Sequence, residues 1–234
     1  MARLVGKVAY ITGAGTGIGR ATAIRFASEG AKVLIAEINS ESGFDTVKEI
    51  KEAGLTNGGD GLFIKTDVSD SDSVRESIKA CVEQFGSLNI LHNNAGGSTL
   101  NDGRVTDAPE DEFWRVIKLD LFGTFLGSKH GIPEIIKSGG GTVINMSSNL
   151  ALMGIPGRDC YTAAKGAIAA MTRSMAVEYS INKIRVNAIA PSVTKTDRVA
   201  NFIANDPKII SQLDAHLLGL IEPIDVANLA VYLA

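Results

Sequence analysis

Short apolar runs alternate along the chain with longer segments in which apolar residues recur every three or four positions. The short runs are rich in β-branched residues, which is typical of strands buried on both faces of a sheet. They cover Lys7–Thr12, Lys32–Glu37, Gly61–Thr66, Leu88–His92, Gly141–Ser147 and Ile184–Ile189. The longer segments have the spacing of helices and cover Gly19–Ser28, Ser40–Ala53, Asp70–Phe85, Pro109–Lys137 and Tyr161–Ser180.

This alternation of strand and helix predicts the class of fold. Right-handed crossovers between successive strands produce an α/β fold, a doubly wound parallel sheet with helices on both faces in three layers, α/β/α. The 234 residues, of which 45% are hydrophobic, suit one large domain. No linker rich in proline or serine and no low-complexity stretch divides the chain, so we expect a single domain over residues 1–234.

Composition and charge exclude several classes of protein. The net charge of −3 and the pI near 5.7 offer no basic surface to a polyanion, so we expect no nucleic acid partner. Cys81 and Cys160 lie far apart without metal-ligand spacing, so we expect no metal, and they fit a reducing cytosol. No run approaches about 18 apolar residues and no signal peptide pattern opens the chain, which predicts a cytoplasmic protein without a membrane segment.

A glycine-rich turn follows the first predicted strand directly and opens the first predicted helix. It reads Thr12-Gly13-Ala14-Gly15-Thr16-Gly17-Ile18-Gly19. Glycines permit a tight turn, and the free N–H groups and positive dipole end of the helix attract a pyrophosphate. Doubly wound sheets bind ligands at the carboxyl ends of their strands, where the strand order reverses. The turn therefore predicts a dinucleotide site, although its spacing differs from G-x-G-x-x-G and an ordinary strand-to-helix turn is the alternative.

Glu37 ends the second predicted strand and bears on the choice of dinucleotide. A carboxylate at this position accepts hydrogen bonds from the adenosine ribose and repels the additional phosphate of NADP. The nearby Thr16 and Asn39 supply no cation for that phosphate. The position favours NAD as the cofactor. Two alternatives remain, since Glu37 can be a solvated loop carboxylate and Arg20 can supply a cation.

Tyr161 and Lys165 are four residues apart at the start of a predicted helix. This spacing places both side chains on one helix face. The same spacing relates Tyr179 to Lys183, so spacing alone does not identify a site. Position separates the two pairs. Tyr161 opens its helix shortly after the fifth predicted strand and Ser147-Ser148, at the edge of the sheet where ligands bind. Tyr179 closes the helix at the opposite edge and is predicted to be structural.

Several motifs together resemble the short-chain dehydrogenase/reductase family over nearly the whole chain. They are Thr12–Gly19, Asp67, Asn93-Asn94-Ala95-Gly96, Ser148, Tyr161, Lys165 and Arg185-Val186-Asn187-Ala188-Ile189-Ala190-Pro191, in the family's order and spacing. The resemblance implies a Rossmann fold. It also implies an oxidoreductase that transfers a hydride between NAD(H) and the carbon of a secondary alcohol or ketone.

The resemblance assigns roles to individual residues. It makes Tyr161 the general acid/base and Ser148 the residue that orients the substrate oxygen. Lys165 would bind the nicotinamide ribose and favour the phenolate of Tyr161; an ammonium about 4 Å away does so by about 4 kcal/mol at an effective dielectric constant of 20. Asn93 would stiffen the fourth strand beside the cofactor. The implied cofactor contacts are Gly13, Gly15, Thr16, Gly17, Ile18, Gly19, Glu37, Asp67, Val68, Asn94, Ala95, Gly96, Tyr161, Lys165, Pro191, Val193 and Thr196, with Asp67 near the adenine and Thr196 at the carboxamide.

The chain departs from the family pattern at three places. Asp120 stands where the family has an active-site asparagine, whose backbone carbonyl holds a water that links the lysine to solvent. We count Asp120 with the catalytic residues and expect it to be compatible with activity, because a backbone group survives the change. Ser192 follows Pro191 where glycine is usual. The chain also ends at Ala234, before the last strand that the family pattern leads us to expect.

Residues 194–222 have weak periodicity and are predicted to form a lid that closes over the substrate. Apolar residues lie within it at Phe202, Ile203, Leu213, Leu217 and Leu218, and others follow Ser148 at Leu150, Leu152, Met153 and Ile155. They suggest an apolar pocket, although they can equally belong to the core. Sugars, steroids, cyclic diols and aliphatic alcohols all remain open as substrates.

Two further expectations concern assembly and rival functions. Helices Pro109–Lys137 and Tyr161–Ser180 carry apolar residues on more than one face, including Phe122, Phe125, Leu126, Ala169, Met171 and Met175. The resemblance implies that these helices form a four-helix interface in a homodimer or homotetramer.

The alternative function is a non-catalytic NAD-binding or scaffold protein that retains the fold. An epimerase using the same Tyr/Lys pair needs a larger substrate domain, for which this chain has no room.

Overall fold

Six parallel strands form the central sheet of the protein, whose computed structural model describes residues 2–205 and 216–234. The strands lie in the order β3-β2-β1-β4-β5-β6. Their bounds are β1 Val8–Thr12, β2 Lys32–Glu37, β3 Asp60–Lys65, β4 Ile90–Asn93, β5 Gly141–Met146 and β6 Ile184–Ile189. All six runs that the hydrophobic pattern identified are strands, and the doubly wound parallel sheet is confirmed.

Helices cover both faces of this sheet. Their bounds are α1 Gly17–Ser28, α2 Ser40–Gly54, α3 Ser71–Phe85, α4 Glu110–Val116, α5 Gly123–Lys137, α6 Asp159–Glu178, α7 Asp197–Asn205 and α8 Pro223–Leu233. Short 3₁₀ turns cover Asn149–Ala151 and Ser180–Asn182. In the part of the chain that the structure describes, no helix has the length and apolar character needed to cross a membrane.

Alternate residues along each strand serve two hydrophobic cores. On β1, Ala9 and Ile11 face a core formed with α1, α2 and α8, whereas Val8 and Tyr10 face a core formed with α3, α5 and α6. Strand side chains point alternately to the two faces, so a strand buried on both sides must be apolar at every position. This explains why β1 is buried throughout and why the sequence showed a continuous run there.

The strand order reverses beside β1. The chain proceeds from β1 to β2 and β3 on one side and then returns to β4 on the other side. The loops after β1 and β4 therefore diverge and leave a crevice at the carboxyl edge of the sheet. Every segment predicted to carry chemistry follows a strand, so the topology brings these segments to one edge.

The predicted helix Pro109–Lys137 is the main correction. It consists of α4, a π-helical segment Ile117–Phe122 and α5. A π-helix repeats over more residues per turn than an α-helix, but a single turn of it does not disrupt the apolar pattern enough to be detected. Helix α7 was also not predicted, because its residues were assigned to an aperiodic lid.

Candidate active site

A cleft of about 870 Å³ opens at the carboxyl edge of the sheet. This volume lies toward the upper end for small-molecule sites. Most of the residues predicted from the sequence line it: Gly13, Thr16, Gly17, Ile18, Gly19, Glu37, Asp67, Val68, Asn94, Ala95, Gly96, Ser148, Tyr161, Lys165, Pro191, Val193 and Thr196. Gly15 and Asp120 do not line the cleft, and both act behind its wall through hydrogen bonds described below.

The glycine-rich turn holds α1 close against the end of β1. Gly13 has φ of +62°, in the left-handed region that favours glycine. A Cβ atom at Gly19 would overlap the carbonyl oxygen of Gly13 and the side-chain amide of Asn94. Asn94 fastens the turn, because its Nδ2 donates to the carbonyl oxygens of Thr12 at 2.9 Å and Gly13 at 3.0 Å. The free N–H groups of the first turn of α1 therefore face the cleft in a fixed position.

The carboxylate of Glu37 lies across this turn at the end of β2. It accepts hydrogen bonds from the backbone N–H groups of Gly15 at 3.1 Å, Ile38 at 2.9 Å and Asn39 at 3.1 Å. These bonds explain the position of Gly15, which orients Glu37 instead of lining the cleft. Arg20 is engaged elsewhere, since its guanidinium forms an ion pair with Glu49 on α2.

Ser148, Tyr161 and Lys165 meet at the other end of the cleft, beyond β5. Ser148 follows β5 and begins a 3₁₀ turn, where its Oγ accepts a hydrogen bond from the N–H of Leu150 at 3.2 Å. Tyr161 lies in the first turn of α6, and the Nζ of Lys165 is 5.4 Å from the centre of its ring. Lys165 also donates to the carbonyl oxygen of Met146 at 2.8 Å. The structure thus brings the three predicted residues to one wall.

Asp120 forms a buried ion pair with Lys165. Its Oδ2 is 2.9 Å from the Nζ of Lys165, and the side chains are 0% and 3% exposed. Burial by itself lowers the pKa of Lys165, but attraction to Asp120 and Tyr161 outweighs it and leaves the pKa above its ordinary value. Both carboxylate oxygens of Asp120 also accept from the N–H of Gly97, at 3.1 and 3.0 Å.

The expectation for Asp120 rested on its backbone, and the structure shows a different contact. Its carbonyl oxygen accepts a hydrogen bond from the Oγ1 of Thr124 at 2.7 Å, while its carboxylate contacts Lys165 directly. The π-helical segment contributes to this placement, because Asp120 is its one buried residue. The role expected of the backbone carbonyl stays a prediction, and the structure adds a direct contact between the carboxylate and Lys165.

Asn93 and Asn145 connect the strands behind the catalytic residues. The Nδ2 of Asn93 donates to the Oδ1 of Asn145 at 2.9 Å and to the Oγ of Ser128 at 3.2 Å. Asn145 in turn donates to the Oγ1 of Thr172 on α6 at 2.9 Å. This buried network joins β4, β5, α5 and α6, and the stiffening role of Asn93 stays a prediction.

Asp102 is a site-supporting residue that sequence reasoning missed. It is 8% exposed, and its carboxylate accepts from the N–H groups of Cys160 at 3.1 Å and Tyr161 at 3.0 Å. A carboxylate at this position satisfies free donors at the start of α6 and interacts favourably with the helix dipole. It thereby fixes the helix turn that carries Tyr161. Nothing in the sequence near Asp102 indicates this contact, which spans more than fifty residues.

The remaining polar candidates have structural surroundings. Cys160 packs with Val116 and Ala164, and burial together with nearby Asp102 raises the pKa of its thiol to about 11, so it is protonated at neutral pH. Tyr179 packs against a hydrophobic core and does not line the cleft, as predicted. Within residues 2–205 and 216–234, no three His, Cys, Asp or Glu side chains are grouped as metal ligands.

Comparison with known proteins identifies the family. The family model described as short chain dehydrogenase matches residues 7–207. The chain is 39% identical to the 2,5-dichloro-2,5-cyclohexadiene-1,4-diol dehydrogenase LinX of Sphingobium indicum over 99% of this chain and 90% of that protein.

Two solved structures resemble it closely. Carveol dehydrogenase from Mycobacterium avium in complex with NAD has a TM-score of 0.92 and 28% identity, covering 100% of this chain and 92% of that one. A 7α-hydroxysteroid dehydrogenase complexed with NADH and 7-oxo glycochenodeoxycholic acid has a TM-score of 0.90 and 33% identity, covering 99% and 88%.

The chain belongs to the short-chain dehydrogenase family. It is an oxidoreductase that uses a nicotinamide dinucleotide and acts on the carbon of an alcohol or ketone. The comparisons give no support to the alternative of a non-catalytic scaffold protein. The resemblance drawn from the sequence motifs is thereby confirmed.

The contacts of Asp102 predict an effect on stability. Replacing Asp102 with Ala leaves two N–H groups of α6 without their acceptor, and we expect a loss of about 1–2 kcal/mol in the free energy of unfolding. Asp102→Asn keeps one acceptor oxygen and should lose less. Asp107, an exposed carboxylate of the same loop, is the control, and its replacement by Ala should change the stability by less than about 0.5 kcal/mol. Urea denaturation measures all three, and equal losses at positions 102 and 107 would contradict the role.

Proposed function

We propose that the protein oxidises a cyclic secondary alcohol, or reduces the corresponding ketone, with NAD(H) and with Tyr161 as general acid/base. The observation that carries this proposal is the meeting of Tyr161, Ser148 and Lys165 in the lining of the cleft that also contains the glycine-rich turn, with Asp120 paired to Lys165 behind the wall. A protonated lysine beside a phenol favours its anionic form, which a general base requires.

The described residues fit a dinucleotide. The glycine-rich turn and the start of α1 offer backbone N–H donors to a pyrophosphate, and a side chain at Gly19 would disrupt this arrangement. Asp67 and Val68, which follow β3, and Pro191, Val193 and Thr196, which follow β6, also line the cleft. The cofactor, when bound, supplies the hydride acceptor or donor.

In alcohol oxidation, Tyr161 accepts the proton of the substrate hydroxyl as the hydride leaves the carbon. The Oγ of Ser148 accepts from the N–H of Leu150 and donates to the Oδ1 of Asn149 at 3.2 Å. When substrate binds, this hydroxyl turns its proton from Asn149 to the substrate oxygen. Lys165 holds its positive charge near Tyr161, because Asp120 and the carbonyl oxygen of Met146 both stabilise the ammonium. In ketone reduction, Tyr161 returns the proton to the oxygen.

Glu37 supports NAD over NADP. Its carboxylate stands at the end of β2, where it meets the adenosine ribose in this fold. The three backbone donors that hold it have already oriented its oxygens. Arg20 is paired with Glu49 and is not directed to a 2′-phosphate.

The apolar lining supports an alicyclic substrate. Leu150, Met153, Ile155 and Phe202 surround the catalytic end of the cleft. The related proteins reported above are named for a cyclohexadiene diol, carveol and a hydroxysteroid, all cyclic alcohols. Of the segment predicted to form the lid, residues 194–205 and 216–222 are described: Thr194 pairs with Ile221, and α7 covers Asp197–Asn205. Residues 206–215, which include Leu213, lie outside the described residues.

We further propose a cytoplasmic homodimer or homotetramer. Phe122 and Phe125 are 40% and 45% exposed and stack with their ring centres 6.0 Å apart, which leaves an apolar patch beside α5. Leu126, which the sequence analysis assigned to the interface, is buried in the core of its own chain and is not available for it.

Replacing Tyr161 with Phe tests the proposal directly. The variant lacks only the transferable proton, so kcat for oxidation of a cyclic secondary alcohol should fall by at least about a thousandfold, within the range for general acid/base catalysis. The Kd for NAD should change little. Steady-state kinetics and a binding titration measure the two quantities. Retention of a tenth of kcat would assign the acid/base to another residue.

Glu37→Ala tests the preference for NAD. Removal of the carboxylate takes away both the ribose acceptor and the repulsion of a 2′-phosphate, so KM should rise for NAD and fall for NADP. The matched control is Glu49→Ala, which removes a carboxylate from the neighbouring helix and frees Arg20. Unchanged KM values for both cofactors in Glu37→Ala would reject the role of Glu37 in cofactor choice. A larger fall in KM for NADP in Glu49→Ala than in Glu37→Ala would show that Arg20 determines the preference instead.

Asp120→Asn tests the electrostatics of the ion pair. The amide oxygen can still accept from Lys165, so the variant should remain active. The variant loses the Asp120 charge that raises the pKa of Lys165 against its burial, and it also loses the negative charge that opposes phenolate formation. We expect the second effect to dominate, because the amide oxygen and the carbonyl oxygen of Met146 still accept from the ammonium. The acidic limb of kcat/KM for oxidation should move to lower pH by about one unit.

The control for this shift is Asp107→Asn, which should leave the limb in place. Movement to higher pH would show that Lys165 loses its proton together with its partner. A loss of activity beyond about a hundredfold would show that the carboxylate itself is required.

A further inference from the structure

Arginine side chains line the catalytic end of the cleft in addition to the proton-transfer residues. Arg158 immediately precedes α6, is half-buried and lies three residues before Tyr161. Arg198 extends from α7 and its Nη1 donates to the carbonyl oxygen of Gly96 at 2.5 Å. Neither arginine has a role in proton transfer, so the presence of two guanidinium groups in the lining requires a separate explanation.

Arg158 is fixed in position without being neutralised. Its Nη1 donates to the carbonyl oxygen of Thr99 at 2.8 Å, and its guanidinium carbon is 5.5 Å from the ring centre of Phe202. Over residues 2–205 and 216–234, no carboxylate forms an ion pair with it. The Nε and Nη2 groups, the edge with which a guanidinium binds a carboxylate through two hydrogen bonds, have no acceptor in that part of the chain.

Glu112 is a carboxylate whose pKa the charge of Arg158 helps to lower, and its oxygens already accept hydrogen bonds from other residues. Arg115 donates to its two oxygens, from Nε at 2.8 Å and Nη2 at 2.9 Å, and Thr99 donates through Oγ1 at 2.8 Å. The pKa of Glu112 is lowered mainly by the hydrogen bond from Arg115, and Arg158 contributes less. Glu112 is thus the partner of Arg115, and the charge of Arg158 is left for another anion.

Charge is distributed unevenly along the cleft. Of its described lining residues, the carboxylates are Glu37, Asp67 and Asp197. Glu37 ends β2, three strands from β5, and strand spacing puts it about 14 Å away from the strand that precedes Ser148. Asp197 lines a shallow pocket beside Arg20 and helps to raise the pKa of Arg20. Among the described lining residues, the wall that contains Tyr161 therefore has cations and no carboxylate, while Asp120 behind it balances the charge of Lys165.

We propose that the substrate alcohol carries a carboxylate, which Arg158 binds while Tyr161 and Ser148 engage the reacting oxygen. This inference rests on the proposed function and specifies its substrate class. Arg158 is preferred over Arg198, because Arg198 is exposed and contacts the Gly96 segment, which is expected to meet the cofactor. The apolar side chains Met153, Ile155 and Phe202 accommodate the ring between the two polar ends.

The experiment compares an acid with its neutral amide. The substrates are 4-hydroxycyclohexanecarboxylate and 4-hydroxycyclohexanecarboxamide, which differ only in charge at the anchoring end. The wild-type enzyme should have the higher kcat/KM for the acid. In Arg158→Leu the selectivity for the acid should fall by about 10-fold to 100-fold, the contribution of a hydrogen bond to a charged group. Arg158→Lys should recover part of it, and Arg104→Leu, an exposed arginine in the neighbouring loop, should keep the wild-type ratio.

A binding measurement separates this inference from the proposed function. Calorimetric titration of the enzyme with NAD present uses cyclohexanecarboxylate and cyclohexanecarboxamide, neither of which can be oxidised. The inference is supported if the wild-type enzyme binds the acid and Arg158→Leu does not. Failure of the enzyme to turn over either alcohol would overturn the proposed function but would leave this binding result, and the inference, in place. Equal affinity of wild-type enzyme for acid and amide, an equal effect of Arg158→Leu on both, or no binding of either would overturn the inference.

Discussion

The buried ion pair between Asp120 and Lys165 is the interaction on which the catalytic wall depends. It joins the π-helical segment to α6. Lys165 also donates a hydrogen bond to the carbonyl oxygen of Met146, and Asp120 also accepts one from the N–H of Gly97. Four elements are therefore held by one pair of charges. Two buried charges are tolerated when they are paired and supported by further hydrogen bonds, and here Met146 supports the ammonium while Gly97 supports the carboxylate.

This pair also determines what Lys165 can do. A buried ammonium without a partner tends to lose its proton, because the apolar interior disfavours its charge. Asp120 compensates for this burial and keeps the lysine cationic beside Tyr161. The cost is a negative charge close to the site where a phenolate must form. Catalysis in this protein thus depends on the balance between a cation that helps Tyr161 and an anion that secures that cation.

Buried polar side chains also hold the elements around Tyr161 in place. Asp102 satisfies the N–H groups at the start of α6, and Asn93 and Asn145 link the strands behind it. Arg158 contacts Thr99 and Phe202 and is one of the residues that line the cleft. The helix turn of Tyr161, the ammonium of Lys165 and the guanidinium of Arg158 are thus held by groups from distant parts of the chain, whereas Ser148 is held by its own 3₁₀ turn.

The sequence by itself determined the sheet, its parallel character and the edge at which chemistry collects, because these follow from local periodicity and from residues such as Gly13, Gly19 and Glu37 that act near their own strand. It also identified Ser148, Tyr161 and Lys165, whose order and spacing are recognisable. The tertiary structure alone decided the π-helical turn, the contact of the Asp120 carboxylate with Lys165, the capping of α6 by Asp102 and the burial of Leu126. These depend on pairs of groups far apart along the chain, and periodicity within a segment contains no information about which distant group will meet it.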